Sequence, residues 1–338
     1  MKVRITAKLL RSVMVFAFFL GIETSFFLMP VVSSAEMKIP ADLFSVDFVS
    51  DAKGWACGRW GTIIHTADGG NSWTYQKSLT DYTLSSISFA DARHGWAVGD
   101  GGTILHTQDG GQTWKKQANP SPVFLMGVTF VTPKKGWAVG ERTTIVHTMD
   151  GGQTWQVQFS GEDFILRAVS FADELNGWAV GEYGFIYNTK DGGASWTQQG
   201  GKFEISMDTG DIIAGNYLFD VSAVDGDRAW AVGIEGHVIR TADGGQTWQV
   251  MDTGIVNSHL LAVAVDKSGH ILIAGKGLMI YSNDNAARWH HSVVTPSIEY
   301  GWLAGLASKE GAGFSAVGRD GCVYLGDREG KAWVKATH

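Results

Sequence analysis

The residues with the most chemical capacity in this 338-residue chain return at fixed intervals. Asp68, Asp109, Asp150, Asp191 and Asp243 each open an Asp-Gly-Gly-x-Ser/Thr-Trp segment, and His65, His106 and His147 each stand three residues before one. Carboxylates and imidazoles gathered in one pocket could ligate a metal or grip a sugar. That chemistry needs convergence, whereas the first four aspartates stand 41 residues apart and so fall in separate copies of a repeat. A feature present in every copy marks scaffold rather than one pocket. Each aspartate has a local use instead: it accepts N–H groups of its own turn, and the glycines after it permit positive φ. Asn188 and Arg240 replace the histidine in the next two copies, which suits a semi-exposed outer position and no metal.

Catalytic material is sparse elsewhere. A sialidase needs three converging arginines, a Tyr nucleophile with a Glu partner and an acid/base carboxylate; other glycosidases need two carboxylates at a set separation. Segment 41–60 holds no Arg-Ile-Pro-like sequence, and only nine arginines follow residue 35. There is no Gly-x-Ser-x-Gly elbow, phosphate-binding loop or zinc-spaced His/Cys set. The expectation is a protein with no catalytic residues and no cofactor.

The elements that position these residues follow from the repeat. Gly95-Trp96-Ala97-Val98-Gly99 is followed by Thr103-Ile104-Leu105-His106-Thr107 and then by Asp109 to Trp114. The same order recurs at 54–73, 136–155, 177–196 and 229–248, with weaker copies at 271–289 and 314–333. The closing tryptophans are spaced by 41, 41, 41, 52, 41 and 44 residues. Each copy carries four short strand signals and a tight Gly-containing turn between the second and third. Four strands in each of seven such copies predict an all-β fold, a seven-bladed β-propeller of four-stranded antiparallel blades. The Trp that closes each copy is expected to wedge between neighbouring blades.

The Asp-Gly-Gly-x-Ser/Thr-Trp segment resembles the Asp-box, or BNR repeat, of sialidase-type propellers. The fuller unit, Gly-Trp-Ala-Val-Gly followed by a strand, His-Thr and the box, resembles the photosystem II stability/assembly factor-like family over residues 41–338. Copies six and seven depart from it, with Asp284-Asn285-Ala286-Ala287-Arg288-Trp289 and Asp327-Arg328-Glu329-Gly330-Lys331-Ala332-Trp333 lacking the Gly-Gly pair. The resemblance implies a non-enzymatic helper that contacts a membrane-protein client through an Arg-bearing face.

The N-terminus reads as an export signal. Lys2, Arg4, Lys8 and Arg11 precede apolar runs at 13–20 and 26–32, and Ser33-Ser34-Ala35 offers small residues for cleavage before Glu36. The alternative is an uncleaved membrane anchor, and no Cys follows to carry a lipid. Residues 36–338 are then a single propeller domain, periplasmic or extracellular. Losing four basic groups and one acidic group leaves 23 against 33, a net charge of −10, which disfavours nucleic acid and anionic lipid. Cys57 and Cys322 lie in the first and last copies, which a closed ring makes neighbours. A disulfide there competes with two separate buried thiols.

Blades present two faces of loops, and a specific site belongs where the copies differ. The turns between second and third strands differ, carrying Arg59-Trp60, Glu141-Arg142, Glu182-Tyr183 and Arg319-Asp320. Tyr82, Phe164, Tyr217 and Tyr300 are expected at equivalent positions leading into the first strands, with Arg167 close to Phe164. An aromatic collar with a few arginines suits protein recognition; the alternative is that the rings plug the channel mouth. The 11 extra residues before copy five, within 200–216, predict a projecting loop on this face. The reading is a scaffold or assembly factor for a membrane or envelope complex. A glycan-binding or sialidase-like glycoside hydrolase propeller is the competing one.

Overall fold

The computed structural model describes residues 39–161, 163–207, 212–266, 268–309, 311 and 313–336. The export-signal reading of residues 1–35 lies outside them. Seven antiparallel sheets follow one another in chain order, each built from consecutive strands. Blade one is Leu43–Phe48, Gly54–Gly58, Ile63–Thr66 and Thr74–Gln76. The remaining blades span 84–116, 125–159, 166–200, 218–250, 260–291 and 303–335. Blade seven has a fifth strand, Val293–Thr295, laid parallel against its outer strand Ala332–Lys335. The expected seven-bladed propeller is what the chain forms.

Second strands are buried from end to end, as in Gly95–Gly99 and Gly136–Gly140. Their first glycine has a steric cause. A Cβ on Gly95 or Gly136 would stand 2.3 or 2.5 Å from the ring of Phe89 or Phe130 on the paired first strand. Blade five pairs Ala223 with Ala229 where blades one to four pair Phe with Gly, so losing the ring admits the methyl group.

Seven apolar clusters fill the seven gaps between blades. The unit of packing is visible between blades two and three. Trp96 stacks on Phe130 at 3.5 Å, Phe130 meets Trp155 edge-on at 5.8 Å, and Trp96 Nε1 donates to the Gly151 carbonyl at 3.2 Å. The Trp that closes each Asp turn thus does wedge against the preceding blade. Gln117 completes the joint: its Nε2 donates to Gly151 O and its Oε1 accepts from Trp155 Nε1. Gln76, Gln158 and Gln199 repeat this bridge around the ring.

Among the described residues the ring closes by packing, with no strand shared between blades one and seven. Ile39, Leu43, Val46 and Trp73 meet Ala307, Val317, Val323 and Ala336 in one cluster. Polar contacts cross the same seam, from Lys309 Nζ to Gly69 O at 2.8 Å and from Asp320 N to Asp42 Oδ1 at 2.9 Å. Cys57 and Cys322 are both free thiols. Cys57 faces blade two while Cys322 packs towards blade six, so they are two separate buried thiols. Burial pushes the Cys57 thiol above its ordinary range and Cys322 up to about 11.

Candidate functional site

The Asp-Gly-Gly turns lie on one face of the disc and behave as local braces. Asp109 Oδ1 accepts from Thr107 Oγ1 and Thr113 N, and Oδ2 accepts from Thr113 Oγ1 at 2.6 Å. Asp68, Asp150, Asp191 and Asp243 repeat this pattern. The Thr113 and Ser195 hydroxyls hold Asp109 and Asp191 down at about 2. Blades six and seven keep the carboxylate's task without the glycines: Asp284 still accepts from Ser282 and Arg288, and Asp327 from Lys331 N. In blade six Asn285 and Ala286 take positive φ in place of Gly-Gly, and in blade seven Gly330 takes it.

His65, His106 and His147 each lie on the second-strand Trp of their own blade, His106 stacking on Trp96 at 4.5 Å. Burial lowers His106 and His147 to about 4, so both rings are neutral at physiological pH. The three histidines and Arg240 are half-buried, as the expected semi-exposed position requires, and Asn188 alone is buried. Arg240 takes the same place over Trp230, at 5.6 Å. Among the described residues, no three His, Cys, Asp or Glu gather as a metal site.

The opposite face carries the candidate site. Gly61 N donates to Tyr82 O, Thr143 N to Phe164 O and Gly236 N to Ser258 O, which ties each second-to-third turn to the segment leading into the next blade. In these turns two successive residues have positive φ, the geometry of a type I′ hairpin that favours Asn-Gly or Gly-Gly. Blade two uses Gly101 at the first of the two positions. Blades one, three, four, five and seven hold Trp60, Arg142, Tyr183, Glu235 and Asp320 there, at φ of 54° to 56°, and blade six makes a shorter turn with Gly277 at positive φ.

The expected collar is not one continuous ring. Only Tyr82 and Phe164 are equivalent, each two residues before the buried Leu that starts a first strand. Tyr217 is one residue before that Leu and Tyr300 three. The reason is the length of the lead-in, which differs between blades and slides the aromatic along it.

Two clusters form instead. At blades four and five, Phe164 meets Tyr183 at 5.2 Å, Tyr183 meets Tyr217 at 4.9 Å, and Phe203 of the 200–216 insertion covers both Phe164 and Tyr183. The Tyr183 hydroxyl is the first cause that pushes Tyr217 up to about 12. The insertion is a hairpin, Phe203–Ile205 paired with Ile212–Ala214; residues 208–211 of the expected loop lie outside those described. At blades seven and one, Arg59 pairs with Asp42 at 2.8 Å, Phe44 stacks on Trp302 at 5.8 Å, and Arg319 donates to Tyr300 O. Tyr82 lies over Gly101. Exposed Arg142 borders a separate cleft with Pro120, Pro122 and Asp163.

Between the clusters opens the central channel, a cavity of about 670 Å³ lined by the first strands of all seven blades. Its rim includes Phe44, Phe124, Met126 and Phe219, with Arg167 lying 5.7 Å over the Phe219 ring. Arg167 Nε is buried without a hydrogen-bond partner. Deeper in the channel are two carboxyl groups that reading single repeats missed. Asp47 Oδ2 accepts from Phe89 N at 2.7 Å, and Asp220 accepts from Val221 N and Val263 N. Burial raises Asp47 to about 6 and Asp220 to about 7. They occupy places where other blades use Ser45, Ser86, Ser88 and Ser170 for the same inter-blade latch. Aligning the copies strand by strand would have exposed both.

Known proteins sort with this geometry. A solved structure described as YCF48 bound to D1 peptide is similar at 20% identity and a TM-score of 0.68, with 85% of this chain and 94% of that one covered. YCF48 from Cyanidioschyzon merolae gives the same identity and score, with 85% and 96% covered. An ancestral GH74 enzyme is similar at 10% identity and a TM-score of 0.65, over 89% of this chain but 47% of its own. These likenesses concern the fold. Comparison with curated protein sequences gives no match. The family model for photosynthesis system II assembly factor YCF48 matches residues 30–121 and 117–202, which together make just over half of the chain. With its repeated blades and matching sequence, this chain belongs to the YCF48 family of photosystem II assembly factors.

Proposed function

We propose that the chain is a non-catalytic scaffold that holds a protein client on the face of the second-to-third-strand turns. The observation that carries this reading is the set of side chains in left-handed turns. An L-residue there costs roughly 1–2 kcal/mol more than glycine, and Gly101 demonstrates that glycine closes the same turn. Tyr183 packs in the aromatic cluster, whereas Trp60, Arg142, Glu235 and Asp320 are exposed and gain no compensating burial, Trp60 being 64% exposed. Such residues are retained for what they touch outside the ring.

The client suited to this face is an extended segment of a membrane-complex subunit, with apolar side chains for the channel rim and an acidic group for Arg167 or Arg142. The related fold described as bound to a D1 peptide supports a peptide as the occupant. The N-terminal sequence supports export, and with it a client in the envelope.

Glycan chemistry has one observation in its favour, the channel carboxyls Asp47 and Asp220. Both are already engaged by backbone N–H groups as latches, whereas a glycosidase pair must be free to protonate and attack. The test is crosslinking capture from a solubilised envelope, comparing the native chain with an Arg59/Arg142/Arg319→Ala variant. The expected result is one membrane complex captured by the native chain and lost by the folded variant. Capture by neither, with retention on a glycan array, would overturn the scaffold reading.

A further inference from the structure

The first strands of the blades line the central channel, and the second residue of each faces the lumen. In every blade that residue is half-buried and follows a Leu buried in the gap between blades, as alternation along a strand requires. Lined up around the ring, the seven positions form one collar, and all of them belong to the cavity wall. Phe44, Met126, Phe219 and Leu261 give the collar its large apolar side chains. Ala304 and Ser85 are its small members, and Arg167 is its single charge.

That charge is unspent. Arg167 Nε is buried without a hydrogen-bond partner, while the guanidinium lies 5.7 Å over the Phe219 ring. A cation given an aromatic face but no acceptor lacks the strongest contact open to it, a charge-assisted hydrogen bond to an anion. The other charged groups of the cavity wall are already engaged. Arg59 pairs with Asp42, and Asp100 Oδ1 accepts from Gly101 N. Asp47 and Asp220 accept from backbone N–H groups of the next blade.

The rest of the collar decides what the anion is attached to. A peptide backbone inside it would leave N–H and C=O groups unpaired, at about 1–3 kcal/mol each. Ser85 is the one neutral polar side chain of the collar, and its hydroxyl is already bonded to Leu125 O at 2.6 Å. An alkyl chain carries no such groups and gains from burial against Phe44, Met126, Phe219 and Leu261. The cavity, about 670 Å³, has the size of a site for one small molecule.

We propose that the channel mouth binds a free organic acid, a carboxylate on an apolar chain, with the carboxylate on Arg167 and the chain inside the collar. Such a ligand is distinct from the protein client, and its binding is measured without one.

The experiment is calorimetric titration of the full chain with sodium octanoate below its micellar concentration. Octan-1-ol and the peptide N-acetyl-Ala-Ala-Leu, with a free C-terminus, are titrated beside it. Expected is one octanoate per chain, with the alcohol and the peptide each weaker by roughly tenfold or more. Arg167→Gln should weaken octanoate by roughly 10-fold to 100-fold, the worth of hydrogen bonds to a charged group. Arg142→Gln, on the same face but outside the channel, should leave octanoate binding unchanged. Arg167→Lys, which keeps the charge, should lose less than Arg167→Gln and separates loss of the contact from loss of the fold. No binding of octanoate, an alcohol that binds as tightly, a peptide that binds more tightly, or equal affinity in the native chain and Arg167→Gln would each overturn the assignment.

Discussion

Trp96 shows how much one side chain does in this ring. It stacks between Phe130 and His106 and donates across the blade gap to Gly151 O. Trp96→Ala should cost about 3–5 kcal/mol in chemical denaturation, as large core truncations do. Arg142 is its opposite, a residue the fold would do better without. Arg142→Gly should raise unfolding free energy by up to about 1 kcal/mol, since the relieved left-handed strain exceeds the extra chain entropy of glycine. The same substitution should weaken client capture. A variant that is both less stable and still fully competent in capture would refute the account of the turns. The Asp turns and the Trp wedges were legible in the sequence because each is a local pattern repeated at a fixed interval. The channel carboxyls were not, because Asp47 differs from Ser88 by one side chain in one copy, and its partner Phe89 N is in the next blade.

Gln117 is where the blade, as an element, reveals what periodicity hides. It reads as an ordinary polar residue following the Asp turn, yet it satisfies Gly151 O and Trp155 Nε1 together. Gln117→Ala should cost about 1–3 kcal/mol by leaving the partly buried Trp155 Nε1 donor unpaired, Gly151 O keeping its bond from Trp96, whereas Lys116→Ala on the exposed neighbouring position should change stability little. Comparing the two denaturation midpoints checks this. The blade-five hairpin is the other element whose role emerges only in three dimensions. Its extra length was visible as a 52-residue spacing, but its attachment to Phe164 and Tyr183 through Phe203 depends on a neighbouring blade. Shortening it beyond Ile205 and Ile212 should spare folding and weaken capture, while Phe203→Ala should loosen the aromatic cluster beneath, read as a gain in hydrogen exchange at Tyr183 and Tyr217. The aromatic collar failed as a single ring because lead-ins of unequal length displace Tyr217 and Tyr300 from the register of Tyr82.

Taken whole, the molecule has two sets of carboxyl groups that respond to pH in opposite senses. The Asp-turn groups at about 2 lie below the ordinary value of 3.8, so their contribution is complete above it and is lost as pH falls through about 2. Asp47 and Asp220, raised to about 6 and about 7, contribute fully below 3.8 and lose that contribution as pH rises through those values. Thermal unfolding at about pH 5 should therefore occur at a higher temperature than at about pH 8, and Asp47→Asn should narrow the difference. A Tm that rises steadily across this interval, unchanged by the substitution, would contradict the placement of these groups. The closing seam carries a last consequence. Ile39 and Ala336 lie in one cluster, every blade is contiguous in the chain, and the seam is filled by an apolar cluster as the six other gaps are. The ring accordingly has no privileged first blade. A circular permutant of 39–336, joined across the seam by a short linker and opened at the uncrowded Gly254, should refold into the same disc.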